Sequence, residues 1–193
     1  MSMAEARREF DDPSRRQSDF VRNLLRRIPL ALRMAVYGVV FLSAVLLALP
    51  WAAYRLDVYA PSCHVEIGWP RILGWLVFAA CLVTYVWSSY LLSRRGRGAY
   101  VEFDPPTQFV ADGPYRRVRN PVAACVLGML LGEAVALSST GVFLLFLLAI
   151  LIAHLQVVLV EEPLLRRRFG PSYEDYLSRV PRWIPRLLRR ETR

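Results

Sequence analysis

Charge and apolarity are segregated along this chain: the stretches 29–54, 69–92, 121–137 and 141–160 are nearly free of charge, while the arginines gather between them. A helix of about 20 apolar residues crosses the hydrocarbon of a bilayer, and lipid tolerates only backbone whose polar groups are bonded within the segment or a closed sheet. The pattern therefore predicts an all-α, polytopic integral membrane protein with about four transmembrane helices. Composition agrees, since 55% hydrophobic residues coexist with 21% charged ones at a mean hydropathy of +0.30. A soluble domain would interleave the two populations.

The first span, 29–54, is interrupted only by Arg33 near its start, where a long side chain reaches the headgroups. A polar loop with few cations follows, bracketed by Trp51 and Trp69 as interfacial anchors. The second span, 69–92, ends in Arg94-Arg95-Gly96-Arg97-Gly98, cations and glycines that suit a helix C-terminus. The third and fourth spans are separated only by Ser138-Ser139-Thr140-Gly141, a turn short enough to force an antiparallel helical hairpin. Arginine is concentrated in residues 1–28, in 94–119 and in the tail from 161 to 193, so the positive-inside rule places all three segments and both termini in the cytoplasm. Residues 1–28 are expected to form a basic segment, partly disordered or an interfacial helix, ahead of a membrane domain from 29 to 193. The tail 161–193 is expected to form an amphipathic cytoplasmic cap.

All 25 basic residues are arginine and the net charge is +9. In a soluble protein such charge would point to nucleic acid. Here it abuts membrane spans, so anionic headgroups are the expected partner and nucleic acid is not. Cys63, Cys81 and Cys125 lack metal-ligand spacing, and Cys63-His64 alone is too small a ligand set, so no metal is expected. In the third span, Gly128 and Gly132 share a face and favour close helix packing, whereas Glu133 would be costly against lipid and is expected to face the bundle interior or the turn.

Two clusters carry possible chemistry. In Gly113-Pro114-Tyr115-Arg116-Arg117-Val118-Arg119-Asn120-Pro121, Asn120 and Pro121 read as the N-cap and first residue of the third span, leaving exposed backbone N–H groups and Arg119 where a ligand can dock. In Glu161-Glu162-Pro163, two carboxylates are expected at the end of the fourth span, where they oppose the helix dipole and need partners. They are either an ion-pair staple to Arg116, Arg117 or Arg119, or acceptors for a ligand's hydroxyls or amine.

The Gly-Pro-Tyr-Arg-x-x-Arg-Asn-Pro element at 113–121, preceded by Asp104-Pro105-Pro106, occurs together with Glu161-Glu162, Leu165, Phe169-Gly170, Tyr173, Tyr176 and Val180-Pro181-Arg182-Trp183-Ile184-Pro185. In that order, over roughly the C-terminal half, the chain resembles the isoprenylcysteine carboxyl methyltransferase and phospholipid methyltransferase superfamily. The resemblance implies an integral membrane enzyme of the bacterial inner membrane that binds S-adenosylmethionine in a cytoplasmic pocket and methylates a lipophilic or lipidated acceptor from the bilayer. Carried over, the cofactor-binding residues are Tyr115, Arg119, Asn120, Pro121, Glu161 and Glu162. Arg119, Arg179 or Arg182 would hold a carboxylate acceptor, the first expectation, while a phospholipid amine or small thiol would instead use a Glu as base. Asn120 stands where the family often has His, and Ala123 and Cys125 replace its frequent Tyr and Gly. Asn cannot serve as a base near neutral pH. A catalytically degenerate membrane scaffold of the same fold is the rival expectation.

Overall fold

The computed structural model describes residues 29–57, 59, 68–96 and 108–185. The N-terminal segment 1–28, Cys63, His64 and Asp104-Pro105-Pro106 fall outside these residues. Among the described residues all regular structure is helical. The first long helix comprises α1 (Leu30–Ser43), a π-helical turn Ala44–Ala48 and α2 (Leu49–Asp57). Pro50 explains the turn. Proline inside a helix lacks the N–H and clashes with the carbonyl four residues earlier, and the wider turn relieves both defects. Leu49 N–H accordingly bonds Ala44 O, five residues back.

The second long helix, α3 (Pro70–Leu91), starts with proline at its first position, where no donor is needed, and closes in a π turn Leu92–Gly96. After a 3₁₀ turn at Gly113–Arg116, α4 (Pro121–Leu137) runs to Ser138, whose φ of 51° reverses the chain. The expected hairpin follows directly. Ser139 Oγ accepts from Val142 N–H at 3.0 Å, capping α5 (Thr140–Gln156). Asp57, at the end of α2, accepts from Ser139 Oγ at 2.5 Å and from Gly141 N–H at 2.7 Å, tying the first helix to the hairpin turn.

Among the described residues three helices are long and apolar enough to cross a membrane: Leu32–Asp57, Pro70–Gly96 and Thr140–Phe169. The fourth, α4, has 17 residues, about 26 Å of helix against a hydrocarbon thickness of about 30 Å. It compensates by packing inside the bundle, with Met129 and Leu130 sealed off completely. Gly128 and Gly132 do mark a close-packed face, but α3 rather than the hairpin partner makes the tightest approach. A Cβ on Gly132 would sit 2.7 Å from Gly74 O, one on Gly74 2.6 Å from Gly132 O, and one on Gly128 2.5 Å from Cys81 Sγ. Glu133 is buried in the bundle.

The last long helix departs from expectation. It does not end at Val160. α5 continues through a second π turn, Val157–Glu161, into α6 (Glu162–Phe169). The reason repeats that at Pro50: Pro163 needs the wide turn, and Glu162 N–H bonds Val157 O. Glu161 and Glu162 therefore sit within a helix instead of at its C-terminus, and the cap proper begins after Phe169. Gly170, at φ 52°, turns the chain into α7 (Pro171–Arg179), whose buried Tyr173 and Tyr176 pack with Val180, Phe109 and Phe169.

Candidate functional site

The two neighbouring carboxylates, on successive positions of a helix, face different ways. Glu162 points inward and is buried, whereas Glu161 is exposed. Glu162 Oε1 accepts from Arg119 Nη1 at 3.1 Å, and the Arg182 guanidinium donates in bidentate fashion, Nε to Oε1 at 2.8 Å and Nη2 to Oε2 at 2.9 Å. One buried carboxylate thus joins residues lying 43 positions before it and 20 after it. Paired, planar guanidinium donors are what make such a burial affordable.

Arg119 ties the remaining contacts together. Its Nε donates to Val180 O at 2.6 Å, its Nη2 to Leu177 O at 2.6 Å, and its backbone N–H to Pro181 O at 2.9 Å. Tyr176 OH donates to Tyr115 O at 2.6 Å, so α7 is fastened to the 3₁₀ turn as well. Phe109 fills the space beneath, with ring centroids 4.9 Å from Tyr176 and 5.8 Å from Tyr173. Beyond Arg182 the chain reaches α5, where Trp183 Nε1 donates to His154 Nδ1 at 3.3 Å. The segment Val180–Pro185 is a strap pinned at four successive residues, Val180, Pro181, Arg182 and Trp183.

Of the sequence-derived candidates, Tyr115, Arg119, Asn120, Pro121, Glu161, Glu162 and Arg182 gather at this end of the bundle. Arg179 does not. It pairs with Asp175 one turn earlier on the exposed side of α7, because the buried side of that helix is occupied by Tyr173 and Tyr176. Arg116 and Arg117 are exposed, so the staple to the glutamate pair is made by Arg119 together with Arg182. Arg182 was expected at a substrate and is found bracing Glu162. Asn120 begins α4 as expected, but its side chain caps nothing; Ala124 N–H bonds the Asn120 backbone carbonyl at 2.9 Å instead. Asn120 is buried and its Nδ2 has no partner among the described residues.

Two polar groups of the glutamate cluster lack a partner among the described residues: the Asn120 amide, whose Nδ2 is buried without a hydrogen bond, and the Glu161 carboxylate, which makes no ion pair there. Burial pushes the Tyr115 phenol well above its ordinary range, and the Glu161 charge pushes in the same direction, so this hydroxyl stays neutral. A buried amide donor, an open carboxylate and an aromatic wall suit a nucleoside with ring acceptors and ribose hydroxyls. Among the described residues no group of three or more His, Cys, Asp or Glu side chains is placed to hold a metal. The contact of His154 with the strap was not foreseen; its one trace in the sequence is a lone polar residue inside an apolar span.

The phospholipid methyltransferase family profile matches residues 69–172, from the start of α3 to the start of α7. Similar relatives include methanethiol S-methyltransferase 2 from Bradyrhizobium diazoefficiens, 31% identical over 174 residues covering 84% of this chain and 63% of that protein. A nickel-cobalt-cadmium resistance protein, NccN, from Alcaligenes xylosoxydans xylosoxydans is 29% identical over 112 residues, covering 56% of this chain and 52% of that protein. The chain thus spans between half and two thirds of the length of these relatives. No solved structure matches it.

Proposed function

The chain belongs to the phospholipid methyltransferase family, and we propose on that premise that it transfers a methyl group from S-adenosylmethionine to a lipophilic acceptor drawn from the bilayer. The observation that carries this reading is the division of labour at the glutamate pair. Glu162 is consumed in bracing Arg119 and Arg182, which leaves Glu161 and the Asn120 amide without such partners among the described residues. In this reading Asn120 Nδ2 donates to a cofactor acceptor atom and Glu161 accepts from its hydroxyl or ammonium groups. Tyr115 and Pro121 supply the wall, and the strap 180–185 excludes water.

S-adenosylmethionine, when bound, supplies an already activated sulfonium methyl. The residues of the chain then mainly position donor and acceptor. A membrane site also explains the helices: an acceptor dissolved in lipid reaches the pocket between apolar walls. By the positive-inside rule the pocket faces the cytoplasm of a bacterial inner membrane, with both termini on that side and anionic headgroups against the exposed arginines.

Among acceptors, we favour a thiol over a carboxylate. The three arginines expected to hold a carboxylate are spent elsewhere, Arg119 and Arg182 on Glu162 and Arg179 on Asp175. The similarity to a protein named as a methanethiol S-methyltransferase points the same way. The test is to incubate membranes containing the chain with methyl-labelled cofactor and long-chain thiols or fatty acids, and to identify the labelled products by mass spectrometry. Labelled methyl thioethers are expected. Label on fatty acids alone would overturn the thiol preference, and no label beyond that of a Glu161→Gln variant would favour the scaffold reading.

A further inference from the structure

His154 is an anomaly on α5. Every residue from Val142 to Leu155 except this one is apolar, and the side chain is exposed instead of turned into the bundle. An imidazole facing hydrocarbon is costly unless it meets a partner or a polar compartment. The partner is Trp183, whose indole donates to Nδ1 at 3.3 Å with the rings 6.4 Å apart and tilted by 38°. Trp183 directly follows Arg182, so the strap that grips Glu162 is the one that lays the indole across His154.

An indole N–H can only donate. The Nδ1 it reaches therefore carries the ring's lone pair, and the proton of the neutral imidazole sits on Nε2. The contact fixes both tautomer and orientation, and it leaves one N–H donor unused. That donor stands seven residues before Glu161 on a continuous helix, about 10 Å deeper along the axis. The glutamate end of this helix carries the arginines, so His154 lies on the bilayer side of the site. A lipid-borne acceptor would come from there.

We propose that His154 recognises the methyl acceptor, its Nε2–H binding the sulfur of a lipophilic thiol, with Trp183 as the positioning residue that holds the donor in place. This inference rests on the methyltransferase reading above and adds the acceptor end of the pocket to it. A sulfur lone pair is a weak acceptor as a thiol and a much better one as a thiolate, so a fixed donor favours the reactive form: the thiol proton passes to solvent, and the new S–CH3 bond would form as the donor's sulfonium S–CH3 bond breaks, releasing S-adenosylhomocysteine.

The test uses the full chain in detergent with S-adenosylmethionine and 1-octanethiol as the probe, following formation of the methyl thioether, and separately measures binding of S-adenosylhomocysteine. His154→Phe is expected to raise the KM for octanethiol on the order of tenfold, the loss of one hydrogen bond to a charged group, while cofactor-product affinity stays within about twofold of wild type. His154→Gln, which restores an N–H donor, should recover most of the loss. Trp183→Phe, which removes only the fixing bond, should raise KM in the same sense. An unchanged KM in His154→Phe would overturn the inference, as would equal losses in the Phe and Gln variants accompanied by loss of S-adenosylhomocysteine binding, the mark of a purely structural residue. A wild-type chain that binds S-adenosylhomocysteine but leaves octanethiol unmethylated also overturns it, whereas one that binds neither cofactor form refutes the underlying methyltransferase reading.

Discussion

Replacing Glu162 by Gln probes the joint on which the site is built. The carboxylate accepts three charge-assisted hydrogen bonds, at 2.8, 2.9 and 3.1 Å. Such bonds contribute roughly 1.5–3 kcal/mol each, against roughly 0.5–1.5 for neutral pairs. Neutralising the acceptor thus costs about 1 kcal/mol per bond retained, and the new amide NH₂ necessarily confronts a guanidinium donor, so one bond is lost outright. Arg182 is partly solvated and recovers some of this from water. The net weakening of strap docking is about 3 kcal/mol, or about 150-fold in the population of the undocked state. Trypsin cleavage after Arg182 in detergent-solubilised protein reads that population when opening is fast relative to cleavage. Cleavage in Glu162→Gln should accelerate by about two orders of magnitude. An acceleration below about threefold would refute the view that Glu162 is the clasp.

Three further outcomes follow from the fold. Gly74→Ala places a methyl 2.6 Å from two backbone atoms of α4, Ala136 N and Gly132 O, so thermal melts in detergent should show a loss of roughly 1–3 kcal/mol; an unchanged melt would mean the α3–α4 crossing is looser than described. Asp57→Ala removes the acceptor for Ser139 Oγ and Gly141 N–H and should cost about 1–2 kcal/mol in the same assay, with a neutral result denying that the first helix is clamped to the hairpin turn. In a background without native cysteines, Tyr59→Cys should react with an impermeant thiol reagent applied outside the inner membrane, and Arg117→Cys only after permeabilisation; the reverse pattern would invert the orientation.

The long helices were legible because lipid imposes a crude requirement, length and apolarity, that a sequence satisfies openly. The start of α4 was legible for a related reason, since Pro121 needs no donor and ends ambiguity about where the helix begins. What escaped the sequence depends on register. Glu161 and Glu162 were expected at the end of the fourth span, yet a π turn absorbs Pro163 and carries the helix on to Phe169. Neighbours on a helix point about 100° apart, so Glu162 faces inward while Glu161 faces outward, and which of the two adjacent identical letters is buried depends on the register of the helix. Arg179 and Arg182 looked equivalent as candidates. Only the burial of Tyr173 and Tyr176 turns Arg179 to the outside, and only the strap brings Arg182 onto Glu162. Gly128 and Gly132 announced a close contact without naming its partner, because a glycine face records the closeness of an approach and not which helix makes it.

In our reading the segment opening α4 and the segment around the second π turn form one cofactor pocket. Calorimetric titration of S-adenosylhomocysteine into the purified chain in detergent tests it most directly, with Asn120→Ala and Glu161→Gln beside the wild type. Saturable binding by the wild type is expected, weakened by each substitution alone although one residue precedes the α4–α5 hairpin in the chain and the other follows it. Binding that is indifferent to both substitutions, or no binding by the wild type, would contradict it.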